Sequence, residues 1–324
     1  MASNQTPASK QQTSKFHVEL TGDMPGETVA RLICQRLFEI MRRKESGILA
    51  DNDSECLHDF RVAVRRTRVL LGQLKGVLDK TVSNQHAVAF KAIGKTTNRL
   101  RDTDVHLQHE VNFRNLVPDK YAADLDPFFQ HLHQVRQHEH GALCEFLKGP
   151  KYAQLMIQWK SFLESECATA PKTQTPISRI ARSRIRSCIR TVLKHGAAIT
   201  PGCPDAQLHE VRIDCKNLRY LLGFFAPLFS AHDVKHVLRQ LRRLQNCLGR
   251  FQDACVEMRD LDKFARTLLP DDDRSSRTLI AIGSLIGKLD VEKNHQRKQF
   301  DKRFKEFSET VDHVSLSRLL SVKS

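Results

Sequence analysis

The sequence predicts an all-α protein that is built from an internal duplication. Residues 57–74, LHDFRVAVRRTRVLLGQL, return at 208–225 as LHEVRIDCKNLRYLLGFF, and seven of the eighteen positions are identical. Within each copy the apolar residues recur every three to four positions, which is the period of an amphipathic helix. Neither half contains a convincing run of alternating β-formers. One unit of about 150 residues, present twice, is therefore the expected architecture.

Residues 1–26 are polar and without period, which predicts a disordered N-terminal tail. The first repeat is expected at 27–167. Asp53 or Ser54 can cap its motif helix, and a further helical segment begins near Arg101. The other helices are predicted at 27–44, 54–79, 84–100, 127–147 and 152–167.

Residues 168–176, ATAPKTQTP, have the Pro and Thr content of a linker between the two repeats. The second repeat is expected at 177–320 and follows the plan of the first. Its helices are predicted at 177–195, 208–225, 232–250, 274–288 and 290–311.

The composition is strongly basic. The 324 residues include 52 Lys and Arg against 37 Asp and Glu, which gives a formal charge of +15. Such an excess favours polyanionic partners, whether a phosphate polymer, nucleic acid or an anionic membrane surface. The nine cysteines form no C-x-x-C pair and fall largely at core positions, which indicates buried thiols rather than disulfides or a zinc site. No apolar run is long enough to span a membrane, so we expect a cytoplasmic protein.

A ridge of cations runs beside the core face of each motif helix. It consists of His58, Arg61, Arg65 and Arg68 in the first copy and of His209, Arg212, Lys216 and Arg219 in the second. Solvated helix faces usually mix both signs of charge, whereas these ridges are nearly all positive. Stacked like charges cost stability, and a polyanion bound along the ridge would explain their recurrence.

Further basic residues on neighbouring predicted helices extend this candidate site. They are Lys91, Lys95 and Arg99 in the first repeat, and Arg182, Arg186, Arg239, Arg242, Arg243 and Arg250 in the second. The second motif helix is the less basic of the two, since Lys216-Asn217-Leu218 replaces Arg65-Arg66-Thr67 and Asp214 replaces Ala63.

Both motif helices have the pattern H-x-x-R-x-x-x-[RK]-x-x-R. In each repeat an aspartate follows 44 residues after the histidine, at the predicted end of a second helix. This arrangement resembles the CHAD domain, the conserved histidine α-helical domain. The resemblance covers residues 25–320. It implies two pseudo-symmetric four-helix bundles related by a pseudo-twofold axis, with a basic groove between or across them. It also implies inorganic polyphosphate as the ligand.

The histidines are interpreted as hydrogen-bond donors to a ligand, because no nucleophile repeats beside them. The neighbouring cations should depress the imidazole pKa in the empty site. Asp102 and Asp253 are the expected ion-pair partners of ridge arginines. The residues His131, His133, His138 and His140 have spacings too wide for one metal ion, and surface or incidental metal affinity is the interpretation.

No nucleotide-hydrolysis, dinucleotide-binding or zincin motif is present. We therefore predict a non-catalytic binding protein that needs no cofactor and no metal, and for which a monomer suffices. Nucleic acid is the main alternative ligand, although few aromatic residues are available for base stacking. An enzyme that transfers or hydrolyses phosphate is a weaker alternative, and metal chelation is the weakest. Association with polyphosphate granules is a further expectation.

Overall fold

The computed structural model of the chain describes residues 16, 18–165, 174–268 and 272–321, and it confirms the all-α prediction. No strand occurs within these ranges. The helices in chain order are α1 (Gly26–Leu49), α2 (Ser54–Gln73), α3 (Lys80–Thr96), α4 (Asn98–Gln108), α5 (Glu110–Leu116), α6 (Asp119–Ala122), α7 (Asp126–Lys148), α8 (Pro150–Glu164), α9 (Ile177–Ala197), α10 (Asp205–Phe225), α11 (Ala231–Ala265), α12 (Asp273–Val314) and α13 (Leu316–Leu319).

The order in which the helices pack recurs along the chain. Helix α1 packs on α2 and α2 packs on α3, just as α9 packs on α10 and α10 packs on α11. The two motif helices, α2 and α10, also contact each other. Their apolar faces are buried as the period predicts, for example at Phe60, Val64, Val211 and Leu218. The contact between α2 and α10 brings the two cationic ridges to one region of the molecule.

Two hydrophobic cores hold the helices together, and each of them draws on both halves of the chain. The larger core joins the motif helices to residues such as Trp159 of α8 and Val192 of α9. The smaller core packs Phe128 of α7 against Leu261 of α11 and Leu285 of α12. Burying each large apolar side chain contributes roughly 1.5–3 kcal/mol. No core boundary coincides with the linker, whose residues 168–173 lie outside the described ranges, and division into two four-helix bundles stays a prediction.

The predicted disordered tail, residues 1–26, is too long at its C-terminal end. Residues 1–15 and 17 lie outside the described ranges, but Phe16 and Leu20 are buried. The Ile177 amide donates to the Met24 carbonyl at 2.9 Å, and the Gly26 amide donates to the Thr175 carbonyl at 3.0 Å. The segment before α1 is therefore anchored to the start of α9.

Long helices replace two predicted interruptions in the second half. Helix α12 continues through residue 289, where a break was predicted, because Asp290 is satisfied within the helix. Its Oδ2 accepts from Asn294 Nδ2 at 2.9 Å. Helix α11 continues beyond Arg250, since Phe251 and Leu261 extend its buried face. Asp253 consequently lies inside a helix rather than at its end.

Helix boundaries in the first half also differ from those predicted. Helix α1 reaches Leu49 because Ile48 is buried. Helix α2 ends at Gln73, six residues early, and Asp79 instead caps α3 by accepting from the Val82 amide at 2.9 Å. A break at Thr97 assigns Arg99 and Asp102 to α4. Where the structure describes the chain, no helix combines the length and apolar content needed to cross a bilayer.

Candidate anion-binding site

The N-terminus of α2 is fixed by Asp53, whose Oδ1 accepts from the Glu55 amide at 2.8 Å, as the sequence predicts. From there the helix buries Leu57 and Phe60 and leaves the predicted ridge partly exposed. Helix α10 holds its own ridge in the same way, with Val211 and Cys215 buried beneath it.

A cleft of about 240 Å³ lies between α2 and the α3–α4 turn, and we call it the α2–α3 cleft. Its cations are Arg61, Arg65, Arg68, Lys91 and Lys95. Gly94 of α3 keeps it narrow but open, because a Cβ at that position would lie 3.3 Å from Arg68 Nη1. No acidic residue lines this cleft in the described part of the chain.

A second cleft of about 720 Å³ lies between α2, α3 and α10, and we call it the α2–α10 cleft. It shares Arg65, Arg68 and Lys91 with the α2–α3 cleft, and α10 adds Lys216 and Tyr220. The shared residues make the two clefts neighbours. Cations from both halves of the chain therefore lie along one surface.

Tyr220 links the two motif helices. The guanidinium carbon of Arg219 lies 5.4 Å from the centre of its ring, and the charge of Arg65 also acts on its side chain. Burial acts to raise the pKa of Tyr220, but the charges of these two arginines outweigh it and leave that pKa below its usual value. The phenol is thus coupled electrostatically to one arginine of each motif helix.

Lys216 is largely buried among arginines of both motif helices. Burial, followed by the charges of Arg212, Arg65 and Arg219, lowers the pKa of the Lys216 ammonium to about 7. Asp253 opposes this effect only partly. An anion placed here would relieve the repulsion and restore the proton.

Arg61 and Arg212 stand at equivalent positions but have different surroundings. Arg61 donates to Thr97 Oγ1 at 2.6 Å and to Asn98 Oδ1 at 2.9 Å. Burial and the neighbouring Arg65 lower its pKa to about 10. Residues 248 and 249, which correspond to 97 and 98, are Leu and Gly and offer no such acceptors.

Arg212 Nε is accordingly buried without a hydrogen-bond acceptor among the described residues. An unpaired buried donor is costly, and a bound anion would satisfy it. Burial also lowers the pKa of Arg212, while Asp253 acts in the opposite direction.

The two motif histidines differ in the same manner. Burial, then the charge of Arg101, lowers the pKa of His58, which is the predicted direction. His209 instead has a neutral hydrogen-bond partner, since its Nδ1 lies 2.7 Å from Gln252 Oε1. Gln252 occupies the position that corresponds to Arg101 in the first repeat.

The predicted ion pairs of Asp102 and Asp253 do not form. Neither carboxylate lies within 4.0 Å of a cationic nitrogen of the described residues. Partial burial raises the pKa of each, and Arg61 and Arg212 respectively act to lower it. The two aspartates are therefore electrostatic neighbours of equivalent arginines, without direct contact.

Several predicted site residues lie away from the two clefts. Arg99 lines a smaller cavity of about 220 Å³ with Asp102, His106 and His131. Arg243 and Arg250 line a cavity between α11 and α12. Four more are exposed on α9 and α11, namely Arg182, Arg186, Arg239 and Arg242. The motif residues His58, His209, Arg212 and Arg219 line neither cleft.

No sequence pattern predicted a role for Tyr220, Arg66 or Arg101. The Arg66 guanidinium lies 4.1 Å from the Phe16 ring and 4.7 Å from the Phe224 ring, and burial lowers its pKa to about 10. Arg101 Nη1 is buried without an acceptor in the described part of the chain. Aligning the repeats does not mark Arg101, since the equivalent residue is Gln252, and no local pattern marks Tyr220.

The four clustered histidines of α7 have separate environments. His131 lies 5.1 Å from the Phe264 ring, and His140 Nε2 donates to the Ile48 carbonyl at 2.7 Å. The described residues contain no group of three or more His, Cys, Asp or Glu side chains that could hold a metal ion. All eight cysteines within these ranges are free thiols, and Cys167 lies outside them.

The fold and the two cationic helices place the chain in a class of all-α proteins whose repeated motif helices each begin their basic ridge with a histidine. The CHAD domain family model matches residues 32–262, and the chain belongs to that family. No curated protein matches the chain.

Two solved structures are similar in fold. The CHAD domain from the plant Ricinus communis superposes with a TM-score of 0.73 at 22% identity, over 89% of this chain and 94% of that one. PptA from Streptomyces chartreusis has a TM-score of 0.68 at 18% identity, over 87% of this chain and 99% of that one.

Proposed function

We propose that this protein binds long-chain inorganic polyphosphate without hydrolysing it. Family membership supports the ligand class, since CHAD domains are associated with polyphosphate. The observation that carries the proposal is the meeting of Arg65, Arg68 and Lys91 with Lys216 around the α2–α10 cleft. These cations come from both halves of the chain.

Polyphosphate suits this surface because its charges are regularly spaced along a flexible chain. Guanidinium groups bind phosphate oxygens in bidentate fashion, and lysines add point charges that tolerate sliding. Arg212 Nε and Arg101 Nη1 are buried donors without acceptors among the described residues. We infer that the two clefts form one basic groove in which phosphate oxygens satisfy such donors.

The absence of hydrolysis is part of the proposal. The residues that line the two clefts include no carboxylate within the described ranges. They therefore supply no carboxylate base and no acidic ligand for a metal-bound nucleophile. A monomer, a cytoplasmic position and association with polyphosphate granules also belong to the proposal.

The internal duplication is the structural basis that we propose for this groove. Two similar units, each a four-helix bundle, would present their ridges on either side of a pseudo-twofold axis. The contact between α2 and α10 and the recurring order of helix packing support this view.

The first test is a double charge reversal. Replacing Arg65 or Lys216 alone by Glu should weaken polyphosphate binding modestly, because a polymer re-registers along the remaining cations. Arg65→Glu combined with Lys216→Glu should weaken it by far more than the product of the single effects. Calorimetric titration at physiological salt measures this. Arg182→Glu is the matched control on exposed α9, and strictly multiplicative effects would contradict a shared groove.

The ligand is tested by competition between polyphosphate and DNA or RNA at equal charge concentration. Polyphosphate should remain bound when single-stranded or duplex nucleic acid is added. Displacement at comparable concentration would identify a general nucleic-acid binder instead. Release of phosphate during the same incubation would identify an enzyme, and His58 and His209 would then be the first groups to examine.

A further inference from the structure

A second cationic cavity lies between α11 and α12, and the groove proposed above does not include it. Its volume is about 440 Å³, which is within the range of small-ligand sites. Helix α11 contributes Arg243, Asn246 and Arg250, and α12 contributes His295, Gln299 and Arg303. In the described part of the chain no acidic side chain lines it. The cavity therefore combines three guanidinium groups, an imidazole and three amides, of which that of Gln296 donates to Glu292 Oε1 at 2.8 Å.

The cavity faces away from the motif helices. Gln245 of α11 points towards α10, since its Nε2 donates to the Cys215 carbonyl at 2.6 Å. At about 100° per residue, Arg243 lies roughly 200° and Arg250 roughly 140° around the helix from Gln245. The cavity shares no lining residue with the α2–α3 cleft or the α2–α10 cleft. A ligand here would be independent of one bound at the groove.

Most donors of the cavity are available. Arg250 and His295 make no hydrogen bond to a described residue, and Arg243 has only a long one, 3.4 Å, to Gln240. Arg303 uses Nη1 to pair with Glu306 at 3.0 Å, and its Nε and Nη2 make no bond to a described residue. These donors can therefore converge on oxygens in the cavity.

The inner wall limits the size of a ligand. Cys247 and Gln296 are buried there, and the Cys247 thiol donates to the Gln296 carbonyl at 3.1 Å. Because Glu306 pairs with Arg303, the uncompensated guanidinium groups are those of Arg243 and Arg250, and a multiply charged anion matches them better than a monocarboxylate. Phosphate oxygens match the guanidinium fork, and the amides of Asn246 and Gln299 can bond ester or hydroxyl oxygens.

We propose that the α11–α12 cavity is a separate binding site for a compact, multiply charged phosphate compound, such as a short oligophosphate or a phosphate ester. Arg243, Arg250 and Arg303 bind the phosphate oxygens, and His295 is a further donor at the rim. This inference does not depend on the proposed polyphosphate groove.

Inorganic tripolyphosphate is the probe, and the imidazole NMR signals of the full-length protein are the readout. The His295 signal is assigned by its loss in His295→Gln. In the wild-type protein, tripolyphosphate should shift that signal, whereas chloride at matched ionic strength should not. The same shift should persist in Arg65→Glu/Lys216→Glu, in which the proposed groove is disrupted.

Arg243→Gln combined with Arg303→Gln should abolish the shift and weaken tripolyphosphate binding at this cavity by on the order of tenfold per guanidinium. Arg239→Gln, on an exposed turn of the same helix, is the matched control, and melting curves confirm that each variant is folded. A His295 signal that does not respond, or that responds equally to chloride, overturns the proposal. The proposal is also overturned if the His295 signal responds in the wild-type protein but not in Arg65→Glu/Lys216→Glu.

The second site and the proposed function can be tested independently of each other. If long-chain polyphosphate does not bind while His295 still responds, the proposed function fails and the second site stands. If polyphosphate binds at the groove while His295 does not respond, the second site fails and the function stands.

Discussion

Lys216 illustrates how one side chain can make binding depend on pH. Burial and the surrounding arginines lower its pKa to about 7, so the free protein carries much of it uncharged near neutrality. A bound polyanion favours the ammonium form and raises that pKa again. Binding therefore takes up a proton, and affinity must rise as the pH falls.

We expect the polyphosphate affinity to increase by several-fold, up to about tenfold, between pH 8 and pH 6. Lys216→Arg should flatten this dependence, because a guanidinium stays charged throughout the range. Titrations at constant ionic strength measure it, with Lys160→Arg on the exposed face of α8 as the control. An unchanged pH profile in Lys216→Arg would assign the titration to another group, and His58 would be examined first.

His86 should make the stability of the protein depend on pH. It is buried 4.6 Å from the ring of Trp159, and its Nδ1 has no partner in the described part of the chain. Burial lowers its pKa, so the unfolded state, with a pKa near 6.5, binds the proton more readily. Stability contributed by the neutral ring is present above that value and is lost as the pH falls.

The melting temperature of the wild-type protein should thus drop as the pH is lowered from 7 to 5. In His86→Phe this drop should be smaller by about a few degrees. It will not vanish, because burial also lowers the pKa of His58, His106 and His131. Thermal melts of His138→Phe, at an exposed position of α7, provide the comparison. A slope identical to the wild type in His86→Phe would show that this ring does not contribute.

At the scale of the helix, Gly94 determines whether a cleft exists beside the motif. The equivalent residue in the second half is Gln245, whose side chain fills the corresponding space and donates to the Cys215 carbonyl. The asymmetry of the site therefore follows from one position on the third helix of each repeat as well as from the motif itself.

Gly94→Gln should close the α2–α3 cleft without changing the net charge. Polyphosphate affinity should fall several-fold, whereas the free energy of unfolding should rise by about 0.5–1 kcal/mol, since Gly is unfavourable within a helix. Ala92→Gln, exposed on the same helix, should leave binding unchanged. Binding that is unaffected in Gly94→Gln would show that polyphosphate does not enter this cleft.

The elements show what a sequence can and cannot predict. The 3.6-residue period predicted the motif helices and their buried faces, since packing there obeys one local rule. The period did not predict that the helices continue through Asp290 and Arg250. Asp290 is hydrogen-bonded within its own helix, and Arg250 is exposed to solvent. Nor could the period predict that Tyr220 is coupled to Arg65, because these residues are more than 150 positions apart.

For the whole molecule, the excess of positive charge is distributed over more surfaces than the sequence suggested. The predicted site was one set of seventeen residues. The structure separates it into the two neighbouring clefts, the cavity that Arg99 lines, the α11–α12 cavity, exposed positions on α9 and α11, and motif residues that line neither cleft. Residues on one helix were grouped together by their charge, although the helix presents them to different neighbours.

Salt dependence distinguishes these groups of cations. Each neutralised phosphate contact contributes about −0.7 to the slope of log affinity against log salt for a single-stranded polyanion. Arg68→Gln should therefore weaken polyphosphate binding and reduce the magnitude of the slope by about 0.7. Arg186→Gln and Arg242→Gln, on exposed surfaces, should leave the slope within error of the wild type. A slope reduced equally by all three would mean that polyphosphate wraps α9 and α11 as well, and the proposed groove would have to be widened to include them.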